Sequence, residues 1–393
     1  MTGVRPTFLP SALRCWPRSF PVATSKTAGG VSTAEKAEYS GRRQTVSAGL
    51  AERNLDAFLV SFSANLRYLS GFTGSNGTLL VLPDRAVFFT DPRYTMQAGE
   101  EVSCAVKVAK GALVEAVAAA IAKLRLRRIG YEPARMTCDW FDSLKGKLPA
   151  RASLEPVNGW IEQLRMIKSS VELDRIRKSV ETNSQAFESV VKGVRPGMTE
   201  QDLAAELDYR MRRLGAEKPA FETIVAAGKR GALPHAQPTA ARMQQGALVV
   251  VDMGAMQDGY ASDMTRMLFL GAPGQKVKRT YQAVLEAQLA AIHAVRAGVS
   301  TAHVDRQARK VLNSYGLAKA FVHSTGHGLG LEIHEPPRIG KRDKARLEAG
   351  MAITIEPGVY LDGFGGIRIE DTVVVTPNGC EILTPTSKDL RVM

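Results

Sequence analysis

Cysteine is scarce: the 393 residues hold four, Cys15, Cys104, Cys138 and Cys380, and none forms a Cys-x-x-Cys pair. That excludes a zinc ribbon and a disulfide scaffold. It fits a reducing compartment, so a cytoplasmic location is expected. No uninterrupted apolar run approaches ~18 residues, which excludes a transmembrane helix and makes a membrane partner unexpected. Acids are the minority charge, 39 against 52 Lys and Arg, for a net charge of +13. The excess is scattered. Residues 1–34 carry Arg5, Arg14, Arg18 and Lys26 without an acid, which leaves +9 for the remainder. That remainder falls in separate runs at 123–128, 276–279 and 341–346, a pattern of solvated faces that argues against a nucleic-acid partner. Residues 1–34 also lack periodicity and a clean apolar segment of signal-peptide length. Residues 1–38 are therefore expected to form a disordered tail.

The length suggests two domains, each able to bury a core. Hydrophobic content of 45% and charged content of 23% are those of an ordinary globular protein. A helix is expected over 40–54, then a buried strand at Ala57–Val60. Strands at Thr78–Leu82 and Ala86–Thr90 flank a Pro83-Asp84 turn. An Ala-rich helix at Leu113–Leu126 and a short strand at Arg128–Tyr131 continue the alternation. It predicts an α/β domain over 39–158. Residues 159–170 read as the passage to a second domain, 159–393. There a helix over Val171–Gly193 precedes one over 200–214, capped by Thr199 and stopped by Gly215.

This pattern returns 101 residues later. Val194, Arg195, Gly197, Thr199 and Gly215 correspond to Val295, Arg296, Gly298, Ser300 and Gly316. An internal duplication is expected, with two helix pairs covering one curved sheet and a cleft at its centre.

Five residues supply the chemistry. Asp252 follows Leu248-Val249-Val250-Val251, and Glu356 follows Ile353-Thr354-Ile355. Glu370 ends Ile367-Arg368-Ile369 and precedes a second apolar run. Carboxylates are ordinarily excluded from such strands. Asp263 lies eleven residues past Asp252, across turn residues Gly254 and Asp258-Gly259. Any one of these acids alone would read as a solvated hairpin residue. Together they read as a cation site, because two divalent ions balance four carboxylates. Arg368 and Glu370 share strand parity, which places the guanidinium where it can orient a ligand carboxylate.

Histidine is also sparse, six in all. His293 and His303 fall in helical pattern and read as structural. His235, His323, His327 and His334 lie in Gly- or Pro-bearing loops. His327 sits among Gly326, Gly328 and Gly330, where backbone can approach a ligand closely. Glu332-Ile333-His334-Glu335 is not the HExxH of helical zinc proteases. Four carboxylates and one imidazole make a hard donor set that favours Mn²⁺, then Fe²⁺ or Co²⁺, over a thiolate-type zinc site. Paired cations can polarise a carbonyl and hold a bridging hydroxide, so amide hydrolysis is the expected reaction class.

These segments resemble the pita-bread metallopeptidases, the family of aminopeptidase P, prolidase, methionine aminopeptidase and creatinase. The resemblance rests on Val251-Asp252-Met253-Gly254, Ser262-Asp263-Met264-Thr265-Arg266 and His323-Ser324-Thr325-Gly326-His327-Gly328. Ile333-His334-Glu335, Ile355-Glu356-Pro357-Gly358 and Arg368-Ile369-Glu370-Asp371 complete it. It implies an α/β domain of creatinase/prolidase type, then an α+β pita-bread catalytic domain with pseudo-twofold symmetry. It implies two divalent metal ions, Mn²⁺ foremost, with Co²⁺, Fe²⁺ or Zn²⁺ as substitutes. Asp252 would bind one metal only, Asp263 and Glu370 would bridge, and His327 and Glu356 would complete the other. Glu356 would also shuttle a proton. The resemblance makes His235, His323 and His334 catalytic histidines, with His235 and His334 contacting substrate. Phe221 would line the cleft, and Arg368 and Tyr360 would support Asp252.

The strings Gly71-Phe72-Thr73-Gly74-Ser75 and Thr90-Asp91-Pro92-Arg93-Tyr94 resemble the aminopeptidase P group. They imply an Xaa-Pro aminopeptidase acting on proline-containing peptides as a homodimer. The alternative is an Xaa-Pro dipeptidase, with Arg338 clamping the proline carboxylate of a dipeptide. A non-catalytic pita-bread binding module is the remaining reading, and it predicts missing ligands where this chain has all five.

Overall fold

The computed structural model describes residues 31–393. The first helix, Thr33–Ala48, begins before the expected start at 40. Ser32 accepts from the Glu35 N–H while the Glu35 side chain accepts from Ser32, a reciprocal capping box. Residues 33–38 are thus helical rather than part of a tail; the rest of the expected tail, residues 1–30, lies outside the described residues.

A six-stranded sheet follows, in spatial order Ala105–Val108, Ala86–Thr90, Gly77–Val81, Ala57–Val60, Arg128–Tyr131, Ser153–Pro156. The central strand pairs antiparallel with Gly77–Val81 and parallel with Arg128–Tyr131. Its four residues are all buried because both sheet faces are covered. Phe58 and Val60 join a core with Val46, Leu69 and Trp160. Ala57 and Leu59 join another with Val117, Ile121 and Leu144.

The second domain carries helices Ser170–Val191, Glu200–Arg213, Gln275–Ala294 and Thr301–Ser314. Thr199 caps as expected, in a box with Asp202. Ser300 occupies the N-cap position without a side-chain capping bond. The repeat is visible in backbone detail. Gly197 N–H donates to Met243 O and Gly298 N–H to Leu347 O, both at 2.8 Å. Arg242 reaches Gly197 O and Arg346 reaches Gly298 O, at 2.7 and 2.6 Å. The first helix pair packs over Val225, Val249, Val251 and Met264. The second packs over Ile353, Ile355, Ile367 and Val373. Each such buried aliphatic side chain stabilises the fold by roughly 1.5–3 kcal/mol.

Two strand pairs lie under these helices. Leu248–Met253 pairs antiparallel with Met264–Phe269, and Ala352–Ile355 with Asp371–Val375. Each pair carries one acid at or just past the end of its first strand, Asp252 and Glu356. Each carries another just before its second strand, Asp263 and Glu370. The duplication therefore brings four carboxylates to the centre of the domain.

Candidate metal centre

Asp252 lies opposite Thr265 and Ile224 in the strand register. Its Oδ2 accepts from Arg368 Nη2 at 2.5 Å. Gly254, two residues on, permits the tight return toward Asp263: a Cβ there would stand 2.1 Å from Ser262 O and 2.7 Å from the Phe221 ring. Glu370 Oε2 accepts from Thr265 Oγ1 at 2.7 Å, and the same hydroxyl accepts from Arg368 Nε at 3.0 Å. Arg368 also donates to Tyr360 Oη at 2.6 Å and to Pro234 O at 3.2 Å.

His327 lies in the short strand Gly326–Gly328. Its Nδ1 lies 3.0 Å from Gly328 O, a carbonyl that can only accept, so Nδ1 carries the proton. Nε2 is then the ring atom that faces the acids, 3.5 Å from both Asp263 Oδ2 and Glu356 Oε1. Asp263, His327 and Glu370 each offer a ligand atom within 4.8 Å of one another.

The electrostatics describe a site made for cations. Burial, then Asp252 and Glu356, hold the Asp263 carboxyl well above its ordinary range. Burial, then Asp263, Glu356 and Asp252, do the same to Glu370. Glu356 is raised by burial and Asp252, against the pull of His327 and Arg368. Four acids so close cannot all ionise without positive charge among them. Burial opposes the Arg368 charge, yet Tyr360, Asp252, Glu356 and Glu370 keep it firmly protonated. One guanidinium does not balance four carboxylates. Asp252 Oδ1 and Asp263 Oδ1 are also buried without a hydrogen-bond partner. Orphaned carboxylate oxygens beside an imidazole nitrogen fit divalent cations.

These groups line a cavity of about 820 Å³ together with Phe221, His235, His323, His334 and Arg338. Tyr360 stands behind that wall, its hydroxyl 2.9 Å from His323 Nε2. Burial, then Arg368, pushes His323 down to about 4. His334 is pushed to about 4 by burial, then by His327 and His235. Both imidazoles are neutral near pH 7. The rings of His334 and His327 meet edge to face, 4.3 Å between centroids. Arg338 pairs with His327 across the strands Gly326–Gly328 and Glu335–Ile339.

The strings that resemble aminopeptidase P lie elsewhere. Thr73 binds Glu101, Ser75 binds Tyr94, and Asn76 binds Asp91 at 2.6 Å. They bind one another and Glu101 within the first domain, and none of their residues lines the cavity.

Sequence reasoning assigned no role to Thr265, although it shares strand parity with Asp263. It also passed over Asp305, which is fully buried, accepts from Thr325 Oγ1 at 2.9 Å and pairs with Arg309. Arg309 holds His323 O at 2.6 Å. Glu200 does the same for the other half, holding Ala227 N and Arg230 before His235 and Thr239 after it.

A duplicated α+β domain with a central carboxylate cluster, behind an α/β domain, defines a pita-bread metallopeptidase. The profile of metallopeptidase family M24 matches residues 174–377, and that of the creatinase/prolidase N-terminal domain matches residues 42–167. The Xaa-Pro dipeptidase of Pyrococcus furiosus is 35% identical over 341 residues, 86% of this chain and 96% of that protein. The structure of an Xaa-Pro dipeptidase from Bacillus anthracis is 35% identical with a TM-score of 0.88, over 90% of this chain and all of that one. An X-Pro aminopeptidase structure from Thermotoga maritima is 37% identical with a TM-score of 0.82, over 87% and 99% of the two chains. The chain belongs to metallopeptidase family M24 and is a metallo-exopeptidase. No helix among the described residues is long and apolar enough to cross a membrane.

Proposed function

We propose that the chain is an Xaa-Pro dipeptidase, using two divalent cations bound by Asp252, Asp263, His327, Glu356 and Glu370. The observation that carries the dipeptidase reading is Arg338, which faces the cavity directly across the strand pair from His327. A guanidinium there suits the free carboxylate of a dipeptide's proline. The aminopeptidase expectation gives way because its supporting strings brace the first domain and do not reach the cavity. The hard donor set favours Mn²⁺.

When bound, the cations supply Lewis acidity and lower the pKa of water. The chain's own side chains do the rest. Phe221 gives the proline ring an apolar surface. His235 and His334 donate N–H bonds toward the scissile carbonyl oxygen, where negative charge develops. Glu356 takes a proton from the attacking water and returns it to the proline nitrogen, the leaving group. Arg368 and Tyr360 hold Asp252 and His323 in place.

Hydrolysis of Xaa-Pro, Xaa-Pro-amide and Xaa-Pro-Yaa decides between dipeptidase and aminopeptidase. The dipeptide should be preferred by tenfold or more, and Arg338→Met should erase the preference. Loss of one hydrogen-bonded pair to a charged group, shielded from water by the bound substrate, costs about 1.5 kcal/mol, about tenfold. Equal rates on all three peptides would return the assignment to an aminopeptidase.

A further inference from the structure

We infer that Arg165 and Lys168, in the connector between the domains, are positioning residues for the His334–Arg338 wall of the cavity. The first domain then sets the geometry of the substrate site through Glu335.

The connector helix, Trp160–Met166, is fastened to the first domain. Trp160 packs on Phe58 with ring centroids 4.8 Å apart, and Ile161 joins the same core. Asn65 Nδ2 donates to Glu132 Oε1 at 2.6 Å and to Glu162 Oε1 at 3.0 Å. Its Oδ1 accepts from Arg165 Nη1 at 2.6 Å. From there the chain of contacts crosses into the catalytic domain. Arg165 Nη2 donates to Glu335 Oε1 and lies 2.9 Å from Glu332 Oε2. Lys168 Nζ donates to Glu335 Oε2 at 3.1 Å. Arg135 reaches Glu332 Oε2, also at 3.1 Å.

Glu335 is the pivot. It, Arg165 and Lys168 have side chains no more than 2% exposed. Two buried cations on one carboxylate are a costly route to stability, since an apolar contact of similar volume does as well. What the charges add is direction. Glu335 Oε1 also accepts from Glu332 N–H at 3.1 Å, which closes the turn that carries His334. A Cβ on Gly330 would stand 2.8 Å from the same oxygen, so the carboxylate has little room to shift. Along the strand, Glu335, Pro337 and Ile339 are buried while Pro336 and Arg338 are exposed. With period-two alternation, anchoring Glu335 inward commits Arg338 to the cavity face. His334, one residue before the anchor, meets His327 there.

The kinetic part of this inference rests on the dipeptidase reading; the structural part does not. The test uses the full-length, Mn²⁺-loaded protein and the variants Arg165→Met, Arg165→Lys and Glu332→Gln. Amide hydrogen exchange is followed over residues 329–339, and KM and kcat are measured on an Xaa-Pro dipeptide. In Arg165→Met, exchange over 329–339 should accelerate at least about tenfold while residues 248–253 keep their protection. KM should rise about 10- to 100-fold, with a smaller fall in kcat. Arg165→Lys should recover part of both. If Arg165→Met does not fold, Glu332→Gln decides, because its side chain is one-fifth exposed; it should shift exchange and KM in the same direction. Unchanged exchange over 329–339, or a uniform rise across both strand pairs with KM unaltered, would overturn the inference. A wild-type protein that cleaves no Xaa-Pro dipeptide would refute the dipeptidase reading alone, and the exchange data would still decide this one.

Discussion

Thr265→Val is the sharpest perturbation of the metal centre that leaves every ligand in place. The two side chains are nearly isosteric, and Thr265 is fully buried, so packing changes little. The substitution removes one hydroxyl with two charged partners: Glu370 Oε2, to which it donates at 2.7 Å, and Arg368 Nε, which donates to it at 3.0 Å. Each bond to a charged group is worth about 1.5–3 kcal/mol, and neither partner can turn to water. The Glu370 carboxylate loses the contact that orients it, and Arg368 loses one of the contacts that aim it at Asp252. Removing support of this kind from a metal ligand typically weakens cation affinity about 10- to 100-fold. The assay is calorimetric titration of Mn²⁺ into chelator-stripped protein, with circular dichroism as the check on folding. A folded Thr265→Val protein with wild-type Mn²⁺ affinity would refute the reasoning, and would mean that Glu370 is not oriented through Thr265.

Three further outcomes are expected. Burial lifts the Glu132 carboxyl to about 7, against hydrogen bonds from Asn65, Ser61 N and Phe62 N. The folded state therefore holds a proton that the unfolded chain releases near pH 4–5, and that stability is lost as pH rises through about 7. In the Mn²⁺-loaded protein the wild type should lose up to about 1.4 kcal/mol per pH unit in this window relative to Glu132→Gln, read from denaturation midpoints. Asp371 is fully buried and faces Arg266, Lys388 and Gln288. Asp371→Ala strands the buried Arg266 charge and should cost about 3–5 kcal/mol in urea unfolding, more than any surface substitution. Glu356→Ala should leave a folded protein with no measurable turnover, since the proposed mechanism makes it both proton shuttle and metal ligand; residual activity above one per cent would contradict that role.

Much of the site could be read from residue type and context, because a carboxylate that interrupts an apolar strand is conspicuous. Asp252 and Glu356 follow such runs, Glu370 ends one, and Asp263 was marked by the turn residues that separate it from Asp252. His327 stood out through its glycines, one of which, Gly326, would bring a Cβ within 1.9 Å of Thr354 O. Thr265 stayed hidden because threonine is ordinary in a strand; its role exists only once register sets it opposite Asp252. Glu335, Asp305 and Glu200 were hidden for a related reason. Most of their partners lie in other elements, and a buried acid in a helix or at a strand end looks like a solvated one until the fold is known. The edge strands Ala105–Val108 and Ser153–Pro156 escaped because they are short and largely exposed. The early start of the first helix was legible: Ser32-Thr33-Ala34-Glu35 has capping-box spacing. The aminopeptidase expectation rested on motifs of another kind. Its motifs make their contacts within the first domain, whereas Arg338 lines the cavity and supports the proposed dipeptidase reading.

The account depends most on cations drawing four mutually repelling carboxylates together. Anomalous scattering from a crystal grown with Mn²⁺ tests this directly, with metal content measured on the same protein. Two Mn²⁺ per chain should appear, with Asp263 and Glu370 between them, Asp252 on one side and His327 and Glu356 on the other. One ion or none at those side chains, in protein that hydrolyses Xaa-Pro at full rate, would contradict it.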